Sequence, residues 1–307
     1  MDKYNKKEQT YIELDLIEFI NFTKTRLFYV FLITSIFAIG SVIYSLSLPN
    51  KYTSSAKFEV VQKADQNSLS SSLGQVSGLI SGIGLPSPTS DRSSLIIGIV
   101  QSREFFRLIN SENNLIPSIM AAQNFDFSNK TIIYNEKKYD PILNLWTRKP
   151  PAGRSVTPTY LEAYLDYRKI VNISQNKKDG FITISVEHVS PIFAKGLVDI
   201  IWNDLNKVIR DNDMKESTEA LDYLNNELIM TTQSDIRQSI NSLISLKLET
   251  QMLTKIKKDY ALDPIDYPYI PEIKSSPRRS IICIIGTIIG LIVSIAILVI
   301  QYMYRKI

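Results

Sequence analysis

The chain carries one histidine, His188, and one cysteine, Cys283. A zinc centre of the usual Cys/His composition has no ligand set to draw on here. A serine–histidine–aspartate relay would have to run through His188, which ends the stretch FITISVEH beside no nucleophile motif. Cys283 sits within an apolar run and reads as a small hydrophobic residue. A lone cysteine also excludes an intramolecular disulfide. No GxxxxGK[ST] occurs, and the glycines of SGLISGIGLPSP (77–88) precede prolines rather than a lysine, so no phosphate cradle is expected. The reading is therefore of a protein that is not an enzyme, with no catalytic residue, no metal and no cofactor. Its informative residues are instead the glycines, prolines and arginines around its oily segments.

Two apolar runs dominate the chain. LFYVFLITSIFAIGSVIYSLSL (27–48) and the run covering 281–301 both lack charge over the roughly twenty residues that a helix needs to cross a bilayer core of about 30 Å. The first run is longer than the apolar region of a signal peptide, and acids mix with the lysines before it, so it is read as a retained span. Lys24 and Arg26 precede the first span, and Arg305 and Lys306 follow the second. The positive-inside rule places both termini in the cytoplasm and residues 49–280 outside. Arg278 and Arg279 fall on the outer side, where their guanidiniums can reach headgroups. The expected organisation is a cytoplasmic segment 1–26, a span 27–48, an outer α/β core 49–189, a long helix 190–262, a proline-rich strut 263–280, a span 281–301 and a cytoplasmic tail 302–307. The fold class is thus an α+β membrane protein whose two transmembrane helices flank a mixed α/β domain with a very long helix. A net charge of +4, from 35 lysines and arginines against 31 acids with no basic block, argues against nucleic acid as a partner.

Within the outer part, KYTSSAKFEVVQ (51–62) reads as a strand. Residues 64–94 are rich in serine and glycine and read as a long loop, a candidate for lining an assembly or contacting polymer, though a plain linker is favoured. A helix is expected over 93–110 and a shorter one over 159–167. YRKIVNIS (167–174) and FITISVEH (181–188) form an antiparallel hairpin turned at Asp179-Gly180. Ser190-Pro191 is a helix start, serine to cap and proline in the first turn. Apolar residues then recur at helical spacing towards Leu262, with a break or bend expected around 231–235. Seventy helical residues would extend about 100 Å. So long and polar a helix needs neighbours, most simply further copies of itself in a coiled-coil-like arrangement. The alternative is a helix folded back on itself.

Pro264, Pro268, Pro271 and Pro277 stop that helix and stiffen the return to the membrane as a strut. Arg278 and Arg279 anchor its foot at the interface. In the second span Gly286 and Gly290 form GxxxG, which permits close approach of a second helix, and Ser41 and Ser45 offer a similar small face on the first.

The order of short cytoplasmic start, span, strand KYTSSAKFEV, mixed core with SPIFAKGLVDIIWNDL, long helix, proline strut and glycine-bearing span resembles the bacterial polysaccharide co-polymerases, the Wzz-type chain-length determinants. The resemblance covers nearly the whole chain, and its most specific part is the run from Pro264 to Pro277 followed by Gly286 and Gly290. It implies a Gram-negative inner-membrane protein with its main domain in the periplasm. It further implies a homo-oligomeric ring, commonly an octamer, that works with a membrane polysaccharide polymerase to set the chain length of O-antigen or a related surface polysaccharide in lipopolysaccharide biosynthesis. Partners are then the bilayer, the polymerase and the growing polysaccharide. The alternatives are an adaptor in ABC-transporter-dependent export and a two-span sensor, the latter lacking room for a cytoplasmic output module.

Overall fold

The computed structural model describes residues 26–61 and 88–306. The loop expected over 64–94 lies outside the described residues up to 87, and from Pro88 onward it is helical instead; all of the cytoplasmic start except Arg26 also lies outside. Two compact units are present, one of residues 50–275 and one holding both apolar helices.

In the apolar unit, helix α1 spans Leu27–Ser47. In the outer unit, strand β1 (Tyr52–Val60) shows the alternating burial that its β-branched and aromatic residues dictate. Helices α2 (Pro88–Val100) and α3 (Arg103–Asn113) follow. The single helix expected over 93–110 is therefore two. Ser102 interrupts it because its hydroxyl accepts the Phe105 N–H at 3.0 Å and starts a new helix. Next come α4 (Ile116–Ala121), the hairpin β2 (Ala122–Asp126) and β3 (Thr131–Tyr134), and the two-residue strands β4 (Tyr139–Asp140) and β5 (Leu145–Trp146). Helix α5 (Tyr160–Ile170) takes the first residues of the expected strand 167–174, and the rest forms β6 (Val171–Gln175). Strand β7 (Ile182–His188) pairs with β6 as expected. Gly180 supplies the positive φ of +74° that closes this hairpin.

Helix α6 runs from Pro191 to Met230, 40 residues or about 60 Å. Ser190 caps it by accepting the Phe193 N–H, with Pro191 in the first turn. Helix α7 spans Ser234–Ile256, strand β8 Leu262–Asp266, and α8 Arg279–Lys306. The long helix expected over 190–262 carries the break expected around 231–235 and ends at Ile256. The chain breaks at 231–233, and α7 folds back antiparallel onto α6. Gln251 donates to Thr218 at 3.1 Å, and Lys247 pairs with Glu216 at 3.7 Å. Arg237 closes the turn by donating to the carbonyls of Leu228 (2.7 Å) and Thr231 (2.9 Å), which the ended helix leaves without intrahelical partners. Each helix carries apolar side chains that are better removed from water, and folding back covers part of them, Leu221 and Ile240 among them.

The sheet has order β6-β7-β1-β8, all pairs antiparallel. The first half of α6 lies across β1 and β7 and buries Ala194, Leu197, Val198, Ile201, Leu205 and Ile209 against Ala56, Phe58, Ile182, Ile184 and Val186. Each large apolar side chain so buried contributes about 1.5–3 kcal/mol. From α2, α3 and α5, Ile96, Val100, Phe106, Ile109 and Tyr167 complete the core, and the Tyr167 hydroxyl donates to the Val100 carbonyl at 3.0 Å.

Asn206 is buried on α6, and its amide reads the returning chain. Its Oδ1 accepts from the N–H groups of Ala261 (2.6 Å) and Leu262 (3.0 Å), while Nδ2 donates to the Leu262 carbonyl at 3.2 Å. One side chain thereby satisfies backbone groups that a buried helix-to-strand crossing would otherwise orphan.

Candidate functional site

The expected site residues lie on the paired apolar helices and on the segment leading into the second. Helices α1 and α8 pair antiparallel, with Arg26 donating to Gln301 at one end (2.7 Å) and Ser41 facing Gly286 further along. A side chain at Gly286 would overlap the Cβ of Ser41. A Cβ at Gly290 would lie 2.6 Å from that of Phe37 and 3.3 Å from the Thr34 Cα. Both glycines are therefore required by helix-on-helix approach within one chain. Gly290, Ser294 and Leu298 are buried at four-residue spacing and continue the stripe begun by Gly286. The hydroxyls of Ser41, Thr34 and Ser294 donate to carbonyls of their own helices, so these small side chains can line the seam without a partner across it. Ser45 is buried one turn beyond Ser41. Away from the seam, Phe28, Phe31, Ile39, Ile43, Ile284 and Ile292 point outward as a lipid-facing surface requires.

The prolines divide between the two units. Pro264 lies in β8 opposite Phe58, on the sheet edge where a residue without an N–H is tolerated. Pro268 and Pro271 are buried. Beyond β8 the ladder ends, and single bonds hold the chain to β1: Ser54 donates to the Tyr269 carbonyl (2.6 Å) and the Ser275 N–H to the Lys51 carbonyl (2.9 Å). The segment read as a strut is thus docked along the outer unit through Ser275. Its stiffness comes from docking as well as from proline. Pro277 and Arg278 belong to the apolar unit, where the Arg278 carbonyl accepts the Ile281 N–H at 3.0 Å as α8 begins. Arg278 is exposed and Arg279 half-buried.

The helical hairpin exposes large apolar side chains. Ile229 and Met230 at its tip are 81% and 79% exposed, and Ile236, Leu243, Met252 and Ile256 follow along α7. Sequence reasoning missed Arg237 as the residue that ends α6, and its only signal was an arginine just past the expected break. It also missed the buried trio of Arg92, Asp213 and Tyr260. The Tyr260 hydroxyl donates to Asp213 Oδ2 at 2.9 Å, and Arg92 stands 3.9 Å from the same oxygen. Burial, with Asp213 beside it, pushes the Tyr260 hydroxyl well above the usual tyrosine range.

His188 is a structural residue. Its Nε2 donates to the Ser118 carbonyl at 2.9 Å, its Nδ1 accepts the Ser190 N–H at 3.1 Å, and its ring lies 4.4 Å from that of Phe193. One neutral tautomer satisfies both bonds, and protonation would set a donor against the Ser190 N–H. Burial lowers its pKa from 6.5 to about 4. The unfolded chain therefore binds the extra proton, and stability present above pH 6.5 falls as pH drops towards 4, by about 3 kcal/mol. Equilibrium unfolding of wild type and His188→Gln across pH 4–7 should show this increment in wild type alone. Parallel curves would remove the assignment.

The structure thus defines a two-helix-anchored α/β protein with a very long helix. The family model for chain length determinant protein, Wzz, matches residues 12–113, the first span through α3. Over that third of its length the chain is similar to the Wzz chain length determinant proteins. Among solved structures it is similar to a full-length bacterial polysaccharide co-polymerase at 15% identity and TM-score 0.40, covering 95% of this chain and 99% of that one. It is also similar to a fragment of WzzB, a polysaccharide co-polymerase from Salmonella Typhimurium, at 14% identity and TM-score 0.27, covering 74% of this chain and 100% of that one. No curated protein matches its sequence.

Proposed function

We propose that the chain is a non-enzymatic, self-associating scaffold that regulates the length of O-antigen or a related surface polysaccharide made by a membrane polymerase. Both termini lie in the cytoplasm of a Gram-negative cell and the outer unit in the periplasm, in accord with Lys24 and Arg26 before the first span. The observation that carries the reading is the unfinished burial of the helical hairpin. Ile229, Met230, Met252 and Ile256 are more than half exposed on one protomer. Exposed apolar surface of this extent on an elongated element marks an association site. Copies arranged as a closed ring give each hairpin two neighbours. The intramolecular seam at Gly286 and Gly290 leaves the outer faces of both spans free for the polymerase and for other copies. Pro264 to Pro277 set the path into the second span, and Arg278 and Arg279 hold its start at the headgroups. Surface polysaccharide from cells lacking the chain should have an altered length distribution and unaltered sugar composition.

A further inference from the structure

The segment between β5 and α5, together with the starts of α3 and α5, encloses an open pocket of about 540 Å³. Arg103, Arg154, Ser155, Thr159, Leu161 and Tyr164 line it, with Glu162 among them. Glu162 is almost buried and turns its charge inward. Its Oε1 accepts from Arg154 Nη1 at 2.8 Å and its Oε2 from Arg148 Nη2 at 2.6 Å, while the Thr159 N–H donates to it at 3.3 Å in a capping box. Arg148 is consumed by this bond and by the carbonyls of Val156 (2.7 Å) and Ser155 (3.1 Å), which staple the pocket wall in place. Arg154 is half-exposed and spends one nitrogen on Glu162. Arg103 opens α3, a position where the helix dipole disfavours a cation, and it has no acidic partner among the described residues. The acids that follow it in α3 are engaged elsewhere, Glu104 by Arg107 and Glu112 by Lys207. The guanidiniums of Arg148 and Arg154 therefore share one carboxylate while Arg103 lines the same pocket, and the surplus positive charge faces the opening. Gly153, at φ +76°, and the Arg154 N–H to Pro151 carbonyl bond (3.1 Å) fix the turn that presents Arg154.

We propose that this pocket binds a carboxylate-bearing sugar unit of an acidic glycan. The sugar in this assignment rests on the polysaccharide reading above, and its acidity rests on the pocket. Guanidinium groups match carboxylates with paired, charge-assisted hydrogen bonds. A volume of about 540 Å³ exceeds what a lone phosphate needs, and Leu161 and Tyr164 offer apolar surface to sugar ring faces.

The test uses the full chain in phosphatidylcholine nanodiscs, titrated calorimetrically with trigalacturonate, with neutral maltotriose and with inorganic phosphate. Saturable trigalacturonate binding that added salt weakens, and that Arg103→Gln and Arg154→Gln each reduce about tenfold, is the expected result. Arg103→Gln carries the decision, because its exposed side chain holds no part of the fold together. Equal binding of maltotriose overturns the proposal. So does binding of phosphate without trigalacturonate, or trigalacturonate binding indifferent to Arg103→Gln. Binding that follows the expected pattern, in a chain whose loss leaves polysaccharide length unchanged, keeps the site and removes the chain-length function. Altered length without trigalacturonate binding removes the site alone.

Discussion

Asp213→Ala is expected to destabilise the outer unit by about 3–5 kcal/mol, because it strips a buried cation of its counter-charge. Arg92 and Asp213 are 5% and 6% exposed, and none of the Arg92 side-chain nitrogens has a hydrogen-bond partner among the described residues. What balances the guanidinium is the carboxylate 3.9 Å away, with the Tyr260 ring centroid 5.4 Å from it. The trio ties α2, the middle of α6 and the chain entering β8, so its loss loosens three elements together. Asp213→Asn keeps an acceptor for Tyr260 and loses the charge, and should fall between wild type and alanine. Arg92→Met combined with Asp213→Leu should recover most of the loss, since a matched apolar replacement removes both desolvation terms. Denaturant midpoints for the four proteins check this, provided the slope is constant. A double variant no more stable than Asp213→Ala would show that the ionic contact is not the source.

Leucine at Gly286 and Gly290 should separate the membrane helices, at about 1–3 kcal/mol for each overpacked site. Even alanine is expected to disturb the seam, because the added Cβ already meets Ser41 or Phe37 too closely. Gly40 provides the control, since a Cβ there meets nothing within 4 Å. Resistance of the hairpin to SDS unfolding in bicelles should fall for Gly286→Leu and Gly290→Leu and stay near wild type for Gly40→Leu. Equal behaviour of all three would mean that the seam is not held by the glycines. The outer unit, whose core is independent of this seam, should keep its unfolding transition.

Much of this architecture was legible because its signals are local. The spans announce themselves by length and lack of charge, β7 by strict alternation from Ile182 to His188, and the start of α6 by Ser190-Pro191. The turn at Asp179-Gly180 is likewise written in two adjacent residues. The return of α7 onto α6 was legible only as a break, because Thr231 to Gln233 weaken a helix without stating which way the chain then turns. That direction is set by pairings such as Gln251 with Thr218 and by Arg237 on the carbonyls of the ended helix. Ser102 splitting the helix expected over 93–110 is a hydroxyl in competition with helical continuation, a choice that tertiary packing of Phe105 and Phe106 decides. The small faces of the two spans were visible separately, whereas the meeting of Gly286 with Ser41 is a long-range fact. The same holds for Arg92 with Asp213. The pocket at Arg103 and Arg154 lay hidden because 111–158 has neither helical nor strand periodicity, and its shape comes from turns pinned by Arg148.

The proposed chain-length role is tested most directly by resolving surface polysaccharide on a gel, from cells with the chain, without it, and with it restored. The account predicts that removal shifts or broadens the ladder of lengths, that restoration returns it, and that the sugars themselves are the same in all three. A ladder identical with and without the chain would contradict it.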